Sequence, residues 1–271
     1  MMKHALTIAG SDCSGGAGIQ ADLKTFAAHG VYGMSVIVSV VAENTERVIS
    51  IEDISPQVIC DQIDAVFTDI DVHAVKVGML SGAEQMQAVA QRLKEYRPQN
   101  VVIDPVMVAK GGCALMQPEA LETMRRLILP LADILTPNLP EAEALSGMQI
   151  RSDKDMQKAA QAMMQMGAKS VVIKGGHLTG KESADVLFDG NSFLTFVSPR
   201  IDTKNTHGTG CTFSSAIAAN LANGMARAEA VKAAKRYITG AIEHALPIGH
   251  GHGPTHHFYS LYKKGFEGMT R

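Results

Sequence analysis

The chain has 271 residues, 46% of them hydrophobic, and a formal net charge of −2, which is enough length and apolar content to bury a large core. With a pI near 6.5 and no Trp, it lacks the basic footprint that nucleic acid or an anionic membrane requires, and the aromatic platforms on which single strands stack. No apolar run reaches a membrane span, the start Met1-Met2-Lys3-His4 lacks a leader core, and Cys13, Cys60, Cys113 and Cys211 show no CxxC spacing, so a reduced cytoplasmic setting is expected.

Lys3–Ala9 is a short apolar run ending in Gly10 and reads as a buried first strand. A glycine-rich loop to Gly18 follows, then helical spacing over Ile19–His29. Met34–Ala42 is continuous and β-branched, as in a strand covered on both faces. Further strand-like runs end at Lys76–Met79, Val102–Pro105, Leu135–Asn138 and Val172–Gly175. Helices are expected between them over Pro56–Phe67, Ala83–Tyr96, Pro118–Leu127, Leu139–Leu145 and Asp153–Met166. Ala184–Phe196, folded about Asp189-Gly190-Asn191-Ser192, reads as a β-hairpin. Two helices close the chain, near Thr209–Asn223 and Arg227–Ala245. No linker or repeat interrupts this order, so residues 1–271 are expected to form one α/β domain, a mostly parallel central sheet with helices on both faces.

In such sheets ligands bind outside the carboxyl ends of the strands. Gly10, Glu43, Met79, Asp104, Asn138 and Lys174 all fall at such ends, which predicts a shared pocket. The stretch Gly16-Ala17-Gly18-Ile19-Gln20-Ala21, with Glu43 after the next strand, imitates a dinucleotide fingerprint. The imitation fails because Ser11–Gly15 separate the strand from the first glycine, and no Gly-Lys-Ser/Thr closes a P-loop. Lys24 reads as a solvated side chain.

A second glycine segment, Thr206-His207-Gly208-Thr209-Gly210-Cys211-Thr212, precedes an Ala-rich helix. Its glycines let the backbone approach a ligand, and the unpaired N–H groups of the first helical turn favour negative charge. Gly208, Thr209, Gly210 and Cys211 are therefore expected to cradle an oxyanion or a phosphoryl group. The helix end is expected to lower the Cys211 thiol toward neutrality, making it a usable base or nucleophile. The plain alternative is a glycine turn with Cys211 in the core. Asp104 and Glu141 suit Mg²⁺ held through waters, Asn138 can donate to a phosphate, and Lys174 can neutralise charge as a phosphoryl group moves. Acids at Glu141 and Glu143 also follow from the helix dipole alone.

Taken in order, the motifs resemble the ribokinase-like superfamily and, within it, the bacterial hydroxymethylpyrimidine/phosphomethylpyrimidine kinases. Their carriers are Ala5–Asp12 with Ser14–Lys24, Lys76–Leu80, Val102–Met107, Thr136–Ala142, Lys174–His177, Thr206–Thr212 and the tail Gly251–Pro254 with His256–Phe258. The resemblance implies ATP-dependent phosphorylation of 4-amino-5-hydroxymethyl-2-methylpyrimidine and then of its monophosphate, with Mg²⁺, in a homodimer. It places Gly10, Asp22, Val41, Glu43 and Met79 around the pyrimidine and Cys211 near the reacting hydroxyl. Gly208–Cys211 would stabilise the transferring group, with Asn138, Lys174 and Thr209 by the nucleotide phosphates and the adenine between the segment after Ala184 and the last helices. Sugar kinases of the superfamily carry Asp where this chain has Cys211. Vitamin B6 kinases share the scaffold and are the alternative.

Many relatives have Gln where this chain has Glu43. A Gln both accepts and donates, whereas a carboxylate only accepts, so either the ring nitrogen or Glu43 must carry a proton. A charge-assisted pair with a protonated aminopyrimidine is the expectation. Met156, Met163, Met164 and Met166 read as a helix packed on the sheet, and His250, His252, His256 and His257 lack a defined ligand face. Cys13, Cys60 and Cys113 carry no argument for function, and His207 either orients the glycine loop or merely opens it.

Overall fold

The computed structural model describes residues 1–177 and 180–266. Among these, β1 (Lys3–Asp12), β2 (Val31–Glu43), β3 (Val48–Asp53), β4 (Ala74–Val77), β5 (Val101–Ile103), β6 (Ile134–Leu135), β7 (Val171–Ile173), β8 (Glu182–Phe188) and β9 (Phe193–Pro199) form one sheet. Its order is β3-β2-β1-β4-β5-β6-β7-β8-β9. The run from β2 to β7 is parallel, while β3 on one edge and the β8–β9 hairpin on the other are antiparallel.

The central strands are apolar throughout because both of their faces are covered. Alternation sends Leu6, Ile8, Val75, Val77, Ile103, Leu135 and Ile173 into one core, and Ala5, Ala74, Val102, Ile134 and Val172 into the other. The first core is closed by α2 (Pro56–Phe67), α3 (Ala83–Tyr96), α4 (Ala120–Thr123), α5 (Leu139–Ser146) and α6 (Asp153–Gln165). The second is closed by α1 (Gly18–Ala28), α7 (Thr209–Ala222) and α8 (Arg227–Glu243). Buried Ala216, Ala218 and Ala219 meet the small Ala5 and Ala74, so α7 lies close against the strands. Local signals set the starts of the helices. The Ser55 side chain accepts from Val58 N–H with Pro56 in the first turn of α2, and Ser152 caps α6 in the same way.

Two elements escaped the reading of the sequence. The edge strand β3 is half exposed, so its residues carry only a weak apolar pattern. The short α9 (Tyr259–Phe266) follows the glycine- and histidine-rich tail. The helix expected over Pro118–Leu127 begins at Ala120 and widens into a π-type turn over Met124–Ile128 before the Leu129–Leu131 3₁₀ turn, where Pro130 withholds an N–H. Met156 and Met163 are buried in the core, as their spacing predicts. No described helix is long and apolar enough to cross a membrane.

Candidate active site

Because β1, β2 and β4–β7 are parallel, their carboxyl ends open on one edge, and a cleft of about 800 Å³ runs along it. Gly10, Val41, Glu43 and Met79 line one end together, and Asp104, Asn138, Glu141, Lys174 and Gly208–Cys211 line the middle. The cleft continues between Ser198–Ile201 and Lys235, Ile238 and Thr239 of α8, the region expected for adenine. Asp185 holds Lys235 there at 2.8 Å.

The first end is a narrow apolar slot. A Cβ built on Gly10 would lie 3.1 Å from Met79 Sδ and 3.7 Å from Val41, so those two walls close on the glycine. The Glu43 carboxyl is the acid of this end, and its pKa is raised to about 7 by burial and by Asp12 beside it, with His207 opposing. Val106–Lys110 and Leu115, in a turn bridged at Val108 and Ala114, form a further wall.

In the middle, Lys174 Nζ donates to Asp104 Oδ1 at 2.7 Å and stands 4.0 Å from Glu141 Oε2. Burial works against the Lys174 charge, but Asp104 and Glu141 outweigh it and raise its pKa. Glu141 is raised to about 7 by burial, with Lys174 opposing and Asp104 adding. It also closes a capping box on α5, accepting from Asn138 N–H at 2.8 Å while Asn138 Oδ1 accepts from Glu141 N–H at 2.9 Å. The dipole and capping account of Glu141 therefore holds, and the same side chain lines the cleft.

The first turn of α7 abuts this cluster: a Cβ on Gly210 would sit 3.4 Å from both Asp104 Oδ2 and Lys174 Nζ. Gly208 has φ +75°, and a Cβ there would overlap the Gly16 carbonyl oxygen, so only glycine fits. Thr212 N–H bonds back to Gly208, leaving the Gly210 and Cys211 N–H groups without a protein acceptor among the described residues. Both residues line the cleft, and unpaired N–H groups of a first helical turn suit an anion. The Thr209 hydroxyl donates to Thr206 O at 2.7 Å.

Two expectations are corrected. The Cys211 thiol is raised, not lowered: burial pushes it up to about 11, with Asp22 and Asp104 adding and Lys76 and the Gly18 N–H opposing. The helix-end effect is outweighed by partial burial of the thiol and by the two acids near it. Asp22 does not line the cleft. It lies beneath the floor, fully buried, and accepts from Thr7 Oγ1 (2.6 Å), Lys76 Nζ (2.8 Å) and Ser215 Oγ (2.7 Å). It reaches the site through Lys76, which does line the cleft and which the sequence reading passed over. Burial depresses the Lys76 ammonium, but Asp22, helped by Cys211 and Asp104, reverses this and raises its pKa.

Asp12 is the other residue missed, and its partner is His207, for which an orienting role was one of two alternatives. Asp12 accepts from the N–H groups of Ser14 (2.7 Å), Gly16 (2.8 Å) and Ala17 (2.7 Å), and from His207 Nε2 at 2.9 Å. Despite burial, these bonds, led by the one to His207, hold its carboxyl far below the usual range. His207 thus orients the glycine loop, tying the first glycine segment to the second. The tail supports both: His207 N–H donates to Gly253 O, and His257, held low at about 4 by burial, bonds the Thr212 hydroxyl at 3.0 Å. Lys24 is not simply solvated, since it donates to Gly15 O at 2.7 Å.

A parallel sheet with antiparallel edges, an acid–lysine cluster at strand ends and a bare helix N-terminus above it define a small-molecule kinase of the ribokinase-like class. Comparison with known proteins narrows this. The chain matches the phosphomethylpyrimidine kinase family over residues 12–256, and it belongs to that family. It is 51% identical over 97% of its length to the whole of the hydroxymethylpyrimidine/phosphomethylpyrimidine kinase of Rhizobium meliloti. It is 54% identical, over 93% of its length, to the thiamine biosynthesis bifunctional protein ThiED of Geobacter sulfurreducens, of which it spans about half (51%). Among solved structures, the ADP complex of Bacillus subtilis pyridoxal kinase superimposes with a TM-score of 0.90 at 44% identity, covering 96% of this chain and 99% of that one.

Proposed function

We propose that this kinase phosphorylates 4-amino-5-hydroxymethyl-2-methylpyrimidine with ATP, and then the resulting monophosphate to the diphosphate, as a step toward thiamin. The observation that carries the reading is one cleft in which an apolar slot walled by the Glu43 carboxyl leads to the Asp104–Lys174 pair and the open end of α7. The relatives' names supply the substrate class.

In this reading the slot of Gly10, Val41 and Met79 holds the ring, and its hydroxymethyl group points at the first turn of α7. The N–H groups of Gly210 and Cys211 take the charge that develops on the transferring phosphoryl group, and Lys174 neutralises it from the other side. Asn138 and Thr209 face the nucleotide phosphates. A buried cluster of two acids and one lysine is short of positive charge, which fits a divalent cation at Asp104 and Glu141. Mg²⁺ there, held through waters, would screen the phosphates. With Cys211 a neutral thiol, the hydroxyl proton leaves through the phosphate or solvent rather than to a preformed thiolate. A cytoplasmic setting and a homodimer belong to the same proposal.

A second reading, a pyridoxal or pyridoxine kinase, rests on the close superposition with the Bacillus subtilis pyridoxal kinase. Purified protein with Mg·ATP, offered the pyrimidine, its monophosphate, pyridoxal and pyridoxine, decides between them when products are identified by mass. Diphosphate from the pyrimidine monophosphate is the expected product. Pyridoxal phosphate with no pyrimidine diphosphate would overturn the first reading in favour of the second.

A further inference from the structure

The Glu43 carboxyl is half-buried in the cleft wall, and among the described residues its oxygens make no hydrogen bond or ion pair. Only its main-chain carbonyl is engaged, by Cys13 Sγ at 3.1 Å. One of its oxygens lies within 4.8 Å of ligating atoms of both Asp12 and His207. A polar side chain with no hydrogen-bond partner, set beside the apolar walls of Val41 and Met79, is placed to meet a polar edge of whatever fills that slot.

The neighbourhood decides in which form it does so. From β1, Asp12 faces it, fixed as a carboxylate by three N–H donors and His207. From the loop before α7, His207 faces it, but its Nε2 is committed to Asp12. No Lys or Arg among the described residues pairs with it. Two carboxylates this close, in a site partly shut from water, do not both ionise cheaply, and Asp12 already holds the better partners.

We infer that Glu43 reads the amino and ring-nitrogen edge of the heterocycle as a neutral carboxylic acid. Its O–H donates to the ring nitrogen, and its carbonyl oxygen accepts from the neighbouring amino group. Resting on the proposed pyrimidine substrate, this replaces the charge-assisted pair expected from the sequence: the proton belongs to the protein before the ligand arrives. A carboxylic acid in this form offers the same donor and acceptor as a glutamine side chain. Hydroxypyridine alcohols lack an amino group beside the ring nitrogen and cannot complete the pair, so Glu43 also discriminates between the two substrate classes.

The consequence is a proton count. Well below pH 7 the free protein already carries the proton, in keeping with the raised Glu43 carboxyl. Above that pH the proton must be taken up on binding, so KM for the pyrimidine rises toward about tenfold per pH unit. In E43Q the amide supplies donor and acceptor without titrating, and KM stays flat from pH 7 to about 9. kcat, which reports the bound complex, follows the same pH profile in both proteins. Calorimetry of 4-amino-5-hydroxymethyl-2-methylpyrimidine binding at about pH 8, in two buffers of different ionisation enthalpy, should show uptake of nearly one proton by the wild type and none by E43Q. Equal proton uptake in both, none in either, or wild-type uptake that stays near one at about pH 6, where the inference requires Glu43 to hold the proton already, overturns the inference. Binding with the expected proton count but no phosphorylation at any pH would instead refute the proposed function while leaving this reading intact. Absence of binding refutes both.

Discussion

Replacing Lys76 by Met tests whether the floor of the site depends on the buried ion pair beneath it. Lys76 and Asp22 are both fully buried, with Nζ and Oδ2 2.8 Å apart. Met matches the length of the lysine stem, so little is lost to a cavity. What remains is an Asp22 carboxylate with two hydroxyl donors, Thr7 and Ser215, and no counter-charge. Breaking one side of such a pair costs about 3–5 kcal/mol, which in a chain of this size lowers Tm by roughly 10 °C. Because the Lys76 pKa is raised, the pair's contribution is complete below the ordinary lysine pKa and is lost only as pH rises beyond it, so the effect is at full size at pH 7. Thermal unfolding and urea titration measure it. K76M with D22N, which removes the orphaned charge, should recover a substantial part of the loss. A K76M protein within about 2 °C of wild type would refute the argument. So would a double variant no better than the sum of the single ones.

Gly208→Ala places a Cβ on the Gly16 carbonyl at a positive φ, and kcat should fall by roughly 10²-fold or more while far-ultraviolet dichroism stays native. Cys211→Ser should lower kcat by less than about tenfold, since a thiol raised to about 11 is no base at neutral pH; a loss of about 10²-fold or more would restore it to that role. Alkylation of Cys211, followed by peptide mass, should accordingly be slow at pH 7.5 and accelerate toward pH 11. The Asp12 carboxyl is held low, so its contribution to stability is present above the ordinary aspartate pKa and is lost as pH falls below it. The stability gap between wild type and D12N should therefore narrow in denaturant titrations taken from about pH 6 to about pH 3.

Much of the fold was legible because the strands are buried on both faces and the helices carry one apolar side, so periodicity alone separates them. Pro56–Phe67 and Ala83–Tyr96 have the same bounds in sequence and structure, and the Asp189–Ser192 turn does join two antiparallel strands. The strand β3 was hidden because an edge strand open to water needs little apolar pattern. Within the site, residues at strand ends were found because topology forces strand ends together. Lys76 and Asp12, which act through a partner, were not, and for His207 the sequence allowed two roles. Their chemistry comes from contacts across separations of up to 195 residues, and no local spacing encodes those.

What the sequence determined by itself was the alternation of elements, the edge on which the cleft opens and the glycine-opened helix whose first turn lines it. Each follows from periodicity, from the carboxyl-end rule of parallel sheets or from unpaired helical N–H groups, which are properties of short stretches. Tertiary structure alone decided the surroundings that raise the Cys211 and Glu43 pKa values, the withdrawal of Asp22 beneath the floor and the coupling of the two glycine loops through Asp12 and His207. These depend on how far a group is removed from water and which charge lies beside it, and only the folded chain sets those distances.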